Sequence, residues 1–303
     1  MTGFIGLTKR NLLLYFKDIP AVIFSLLTSI IVFVLYLIFL KGTFVDSIES
    51  SMTGLEAFIK SEDVNTLVSA ILLVGILGSA LITVPYSCLS IVVKDKENKI
   101  DYDILATPIR RWQIIFSYFV SAVISAFIVT SLILTIGLVI LGSKGDMNMS
   151  VFDIAETYGI ILLGSVSSTA IFLIISMFFK SSSASSAFFG MLSAASGFVI
   201  GAYIPLSQFS ENVQTICNIF PATQITVLLR NNLLSGILSK INDCIGGVDN
   251  GAFVNSIKAS FNFKSAIMGN EFSKPGMYIY VIVALLVSLV VMVVAYSKTY
   301  KRK

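Results

Sequence analysis

Six stretches of this chain carry no charged residue at all: Ile19–Leu40, Val64–Val93, Trp112–Ser143, Thr157–Phe179, Ser181–Ser210 and Pro275–Ser297. Each is long enough to cross a bilayer, which takes roughly 20 apolar residues. All 21 basic and all 17 acidic residues lie outside them. A water-soluble core does not segregate charge in this way. Only 13% of the 303 residues are charged and 56% are apolar, whereas soluble domains carry about a quarter charged. Lipid is therefore the solvent that fits this chain, and uncharged apolar runs of this length read as membrane-spanning helices.

The expected fold is all-α integral membrane, with six transmembrane helices near 20–40, 67–92, 113–141, 158–179, 184–204 and 277–297. A seventh, weaker interval, Asn212–Leu229, contains Gln214, Asn218, Pro221 and Gln224. Proline in its middle breaks a helix, so it reads as a short re-entrant or interfacial element. The basic residues before the first run, and the length of that run, do not fit a cleavable signal peptide.

With six spans both termini share a side. That side holds thirteen basic residues, among them Lys9, Arg10, Lys17, Lys94, Lys96, Lys99, Arg110 and Arg111. The short loops opposite hold three, Lys41, Lys60 and Lys144. The positive-inside rule then places both termini in the cytoplasm of a plasma-membrane protein, and leaves 207–274 as an enlarged external region between spans five and six.

No ionisable group lies at mid-membrane, where ion-coupled carriers bind or relay their ion. No repeated Gly/Pro-broken spans mark a secondary transporter. The chain has no histidine and no carboxylate within its spans, so neither a catalytic site nor a metal site is expected. Energy must come from outside the membrane helices, yet there is no phosphate loop of the G-x-x-x-x-G-K-[ST] type. An ATP-independent channel or facilitator is the alternative.

The segment long enough to dock a motor is Lys94–Trp112, KDKENKIDYDILATPIRRW. Asp101–Ala106 forms one or two helical turns, Pro108 stops them, and Arg110, Arg111 and Trp112 sit at the headgroups. This segment resembles the loop between spans two and three in the permeases of type-2 ABC exporters. Glu97, Asp101, Asp103, Leu105, Thr107, Pro108, Arg110 and Arg111 occupy the family's coupling region. Leu7–Pro20, LTKRNLLLYFKDIP, is similar to the family's N-terminal interfacial helix, with Arg10, Asp18 and Pro20 in the matching places. Pro221 and Arg230 match an external motif between spans five and six. Asn231–Lys274, with Gly246, Gly247 and Gly251, departs from the family as an inserted external subdomain.

The resemblance implies a single permease domain over 1–303 that moves a hydrophobic or amphiphilic cargo outward. It implies two ATPase subunits, which bind the ATP and magnesium, and a second permease half, identical or paralogous. Membrane lipids are partners and nucleic acid is not. In the family, spans one and five of the two halves face each other around the path. Small residues let helices approach in lipid, so Ser193, Gly197 and Gly201 would lie at that interface, with Thr28, Tyr36, Tyr86 and Phe188 lining the path. Cys217 and Cys244 both fall in the outer loop, where a disulfide suits an oxidising exterior; two unpaired thiols are the alternative. Cys88 reads as a packing residue.

Overall fold

The computed structural model describes residues 2–35, 38–39, 41–50, 52, 55, 58–145 and 147–299. The chain begins with two helices, α1 (Thr2–Lys17) and α2 (Ile19–Leu35), that meet at a 71° bend. Asp18 makes the bend. Its Oδ1 accepts the Ala21 N–H at 3.2 Å and so caps α2. Pro20, in the first turn, removes a donor that has no intrahelical partner there.

After a short α3 (Lys41–Ser50) comes α4 (Ser61–Cys88), continued almost directly by α5 (Ser90–Glu97). The left-handed backbone of Lys99 (φ 60°) turns the chain into α6 (Ile100–Ala106), then α7 (Arg111–Lys144), α8 (Val151–Phe178) and α9 (Ser182–Val199). The helix α4 is the axis of the bundle and packs against α2, α7, α8, α9 and α11 (Pro221–Leu233). Glycines allow this closeness. A methyl group at Gly78 would fall 2.5 Å from Thr226 Oγ1, and one at Gly164 would fall 2.9 Å from both Ile225 and Leu81. The last helix, α14 (Lys274–Thr299), lies at the rim with Ile279, Ile282, Val283, Leu286 and Val290 exposed, a face that suits acyl chains.

Two apolar cores fill the bundle. One, around Leu67, Leu77, Leu228 and Ile237, lies toward the end bearing residues 231–272. The other, around Tyr86, Leu89, Ile114 and Phe172, lies toward the end bearing residues 94–110.

Four helical segments among the described residues are long and apolar enough to cross a membrane: Ser61–Glu97, Arg111–Ser143, Val151–Phe178 and Lys274–Ser297. They contain the spans expected near 67–92, 113–141, 158–179 and 277–297, apart from Phe179, which caps α8. The bent α1–α2 pair raises the number to five. The expected span 20–40 matches α2 as far as Leu35; Tyr36, Leu37 and Leu40 lie outside the described residues. The span expected at 184–204 overshoots. Helix α9 ends at Val199 because Gly201 turns left-handed (φ 68°), while the Ala202 and Tyr203 N–H groups fold back onto the Gly197 carbonyl at 2.8 and 3.2 Å. At 18 residues and rich in serine, α9 does not join the four by length and composition.

The weak interval 212–229 breaks where expected. Helix α10 (Glu211–Ile219) stops before Pro221, which instead opens the buried α11 as its first residue. The inserted region forms α12 (Ser235–Ile245), α13 (Ala252–Ser260) and a hairpin of β1 (Ser265–Ile267) and β2 (Asn270–Phe272). Its two-residue loop, Met268 and Gly269, has both φ angles positive (51° and 78°), as a tight hairpin turn requires.

Candidate functional site

At the end of α5, four consecutive side chains reach four different parts of the bundle. Lys94 Nζ donates to Asp18 Oδ2 at 2.7 Å, at the α1–α2 bend. Asp95 accepts both terminal nitrogens of Arg10 on α1, each at 2.8 Å, and the Tyr118 hydroxyl of α7 at 2.6 Å. Lys96 Nζ donates to the Met177 carbonyl at the end of α8, at 2.8 Å. Glu97 accepts the Ser182 N–H at 3.0 Å, and also its hydroxyl, at the start of α9. Successive helical residues point about 100° apart, so four in a row sweep round the helix and meet every neighbour.

The Arg10–Asp95 pair is the strongest of these bonds. The Asp95 side chain is 4% exposed and that of Arg10 30%, and the bidentate geometry matches the guanidinium fork to the carboxylate. The hydrogen bonds to Asp95 hold the Arg10 guanidinium above its ordinary value against the cost of burial. The Lys94 hydrogen bond holds the Asp18 carboxyl below the usual carboxylate range. Tyr15, buried inside the bend, shares a 3.1 Å hydrogen bond with Ser25 and ties α1 to α2.

Beyond the hub, α6 turns Ile104 inward and exposes Tyr102 (67%) and Asp103. Ala106, Thr107, Pro108, Arg110 and Trp112 continue the exposed surface. Thr107 Oγ1 donates to the Ile104 carbonyl at 2.6 Å. The Arg110 N–H donates to Gln113 Oε1 at 3.1 Å, which starts α7. The start of α1 lies against this turn, since a methyl group at Gly3 would sit 2.8 Å from Ile109 Cδ1.

The expected coupling residues therefore divide. Asp103, Thr107, Pro108 and Arg110 are exposed together, and Asp101 and Arg111 are half-buried. Leu105 packs against the inner core, and Glu97 is committed to Ser182. Arg10 and Asp18 are both brought to the hub, with Pro20 just beyond. Asp95, Lys94, Lys96, Tyr118 and Ser182 were not marked by sequence as site residues. One signal points to Asp95: it stands four residues after Ile91, on the apolar face that continues α4.

The small residues of α9 do not form one continuous stripe. Gly197 is covered by its own chain, because a methyl group there would lie 2.3 Å from the Tyr203 ring. Gly201 lies past the helix end. Ser193 lines an apolar groove of about 580 Å³ between α2 and α9, with Ile31, Leu35, Phe198 and Tyr203. Tyr86 does not line a path: it is 2% exposed, bonded to Ser185 at 2.9 Å and ringed by Phe172, Phe188 and Phe189. Of the other three expected path residues, Phe188 is half-buried against Tyr86 in the core, and the Thr28 side chain and Tyr36 lie outside the described residues.

At the opposite end, Pro221 opens α11 and Arg230 is buried within it. The Arg230 Nη1 donates to the Asn262 carbonyl at 2.8 Å, while its Nε has no partner. Burial pushes this guanidinium down to about 10, still charged at neutral pH. Gln224 and Asn231 also hold the 262–266 segment, through Ser265 Oγ and the Phe263 carbonyl, each at 2.7 Å. Cys217 and Cys244 are both free. Cys217 is packed inward on α10 while Cys244 is exposed on α12, so no bond joins them. Among the described residues no group of three or more Cys, Asp or Glu side chains is placed to hold a metal.

A family model described as "ABC-2 family transporter protein" matches residues 48–298 of the chain. No curated protein and no solved structure matches it.

Proposed function

The chain belongs to the ABC-2 family of transporter proteins, and from that premise we propose that it is the permease of an ATP-driven exporter whose motor is a separate ATPase chain. Membership makes it a membrane transport component rather than a catalyst, and an ABC ATPase is the general partner of such permeases. The hub at Lys94–Glu97 carries the proposal. It stands directly behind the exposed 102–112 surface and is bonded to α1 and α7 and to the facing ends of α8 and α9.

Two ATPase subunits, each binding ATP and magnesium, sit on the cytoplasmic face and push on Tyr102, Asp103, Thr107, Pro108 and Arg110. The load passes through α5 to the surrounding helices. Helix α1 lies as an interfacial helix at the cytoplasmic headgroups, α2 serves as the first span and α9 as the fifth, which gives six spans with both termini cytoplasmic in the plasma membrane. Two permease halves meet across the α2/α9 groove, and its apolar lining favours a hydrophobic or amphiphilic cargo released outward. The 207–274 region is the external subdomain.

Reversing the exposed charges together, Asp103→Arg with Arg110→Glu, leaves the bundle folded because neither side chain supports it. Like-charge juxtaposition at a docking surface costs several kcal/mol. ATP-dependent efflux of a hydrophobic dye from vesicles holding permease and ATPase is expected to fall at least about tenfold. Unchanged efflux, or efflux with no nucleotide-hydrolysing partner present, overturns the proposal.

A further inference from the structure

The cleft between α1, α2 and α5 has the chemistry of a headgroup site. It encloses about 380 Å³. Three cations line it, Arg10, Lys17 and Lys94, against two carboxylates, Asp18 and Asp95. Arg10 and Lys94 are paired with those carboxylates. Lys17 has no carboxylate within ion-pair distance among the described residues, so the cleft retains one uncompensated positive charge. Ser90 and Asn98 add a hydroxyl and an amide, while Leu14 and Ile91 give it an apolar side. Leu13, Leu14 and Phe16 are 46, 43 and 40% exposed, so α1 carries an apolar surface at the mouth of the cleft. The 71° bend sets α1 across the direction of α2. A net-positive recess, its charged and polar groups set in a largely apolar wall and opening beside an apolar face, suits a molecule with a phosphate at one end and acyl chains at the other.

We propose that this cleft binds the phosphate of an anionic phospholipid. The proposal rests on the reading above that places α1 at the cytoplasmic headgroups. A bound phosphate would sit near Lys17 and compete with Asp18 for Lys94, loading the hub with lipid charge. Anionic lipid is attracted to basic side chains at that surface.

The test uses the purified full-length chain in vesicles of phosphatidylcholine with or without phosphatidylglycerol, and native mass spectrometry of the lipids it retains. The wild type is expected to retain phosphatidylglycerol in preference to phosphatidylcholine. Lys17→Glu is expected to lower that retention about tenfold and Lys17→Gln about threefold. Lys9→Glu, the same charge change on the same helix outside the cleft, is expected to change it less than about twofold. Millimolar inorganic phosphate that leaves the lipid in place supports the lipid; displacement assigns the cleft to the free anion and overturns the lipid. No preference for phosphatidylglycerol, or equal retention by wild type and both Lys17 variants, overturns the site. The measurement needs neither nucleotide nor ATPase, so its failure and a failure of coupled efflux are separate results.

Discussion

Asp101 occupies the first turn of α6, where a carboxylate favours the helix dipole, yet its Oδ1 is buried without a donor. Desolvation holds this carboxyl above the ordinary carboxylate range; nearby Asp95 adds to the shift, while backbone N–H groups and Lys96 oppose it. The folded protein then binds this proton more tightly than the unfolded chain does. Stability falls as pH rises from the ordinary carboxylate value through the raised one. Asp101→Asn is expected to remove that slope and to raise the thermal midpoint at neutral pH by roughly 1–2 °C, a small effect because water screens a half-exposed group. Thermal unfolding in detergent from pH 4 to 8 would check both points, and a lower midpoint for the variant at pH 7 would contradict them. At this scale the sequence was only partly legible. The acidic and basic run at 94–99 reads locally as a solvated stretch, and the bond that buries Asp95 reaches back 85 residues to Arg10. Local pattern contains no term for such a partner.

At the scale of the helix, docking depends on a few close approaches. Helix α12 rests on the loop before α8 at Gly236, where a methyl group would fall 2.3 Å from the Met147 carbonyl oxygen and 2.4 Å from that of Asn148. Both are backbone atoms and cannot rotate away. Gly236→Ala is expected to destabilise the protein by about 2 kcal/mol, read as a lower thermal midpoint, whereas Gly246→Ala should act only through its left-handed φ of 64°. Equal midpoints for Gly236→Ala and wild type would refute the docking. Element boundaries followed sequence to within about three residues at α7 and α14, where charge flanks the apolar run, whereas α4 and α8 begin earlier than expected, at Ser61 and Val151, and take Glu62, Asp63, Asp153 and Glu156 into the helix. They failed at α9, because its stop is a left-handed glycine under a tyrosine ring, and nothing in an uncharged stretch signals that. The α10–α11 break was visible, since proline cannot continue a helix.

For the whole molecule, orientation has a native reporter. Cys88 and Cys217 are buried and Cys244 is exposed. A membrane-impermeant maleimide is expected to label intact cells at Cys244, and Cys244→Ser is expected to abolish the signal. Labelling that appears only after permeabilisation would place the inserted region inside and reverse the proposed topology. Among the described residues the ion pairs gather at the two ends of the molecule. Lys94–Glu97 binds one, while Asp63–Lys240 at 2.8 Å, Glu156–Lys274 at 2.9 Å and Asn232–Thr157 at 2.8 Å bind the other. Between them, the α4, α7 and α8 contacts hold no ion pair among the described residues; they are apolar and small-hydroxyl packing with single bonds such as Thr135–Tyr158 at 2.7 Å, without hydrophobic drive in lipid. A barrel hooped at both rims resists bulging far more than turning. The least costly large movement of this chain is to rock as one rigid piece, which in the proposed exporter leaves any change of shape to the seam between the two halves.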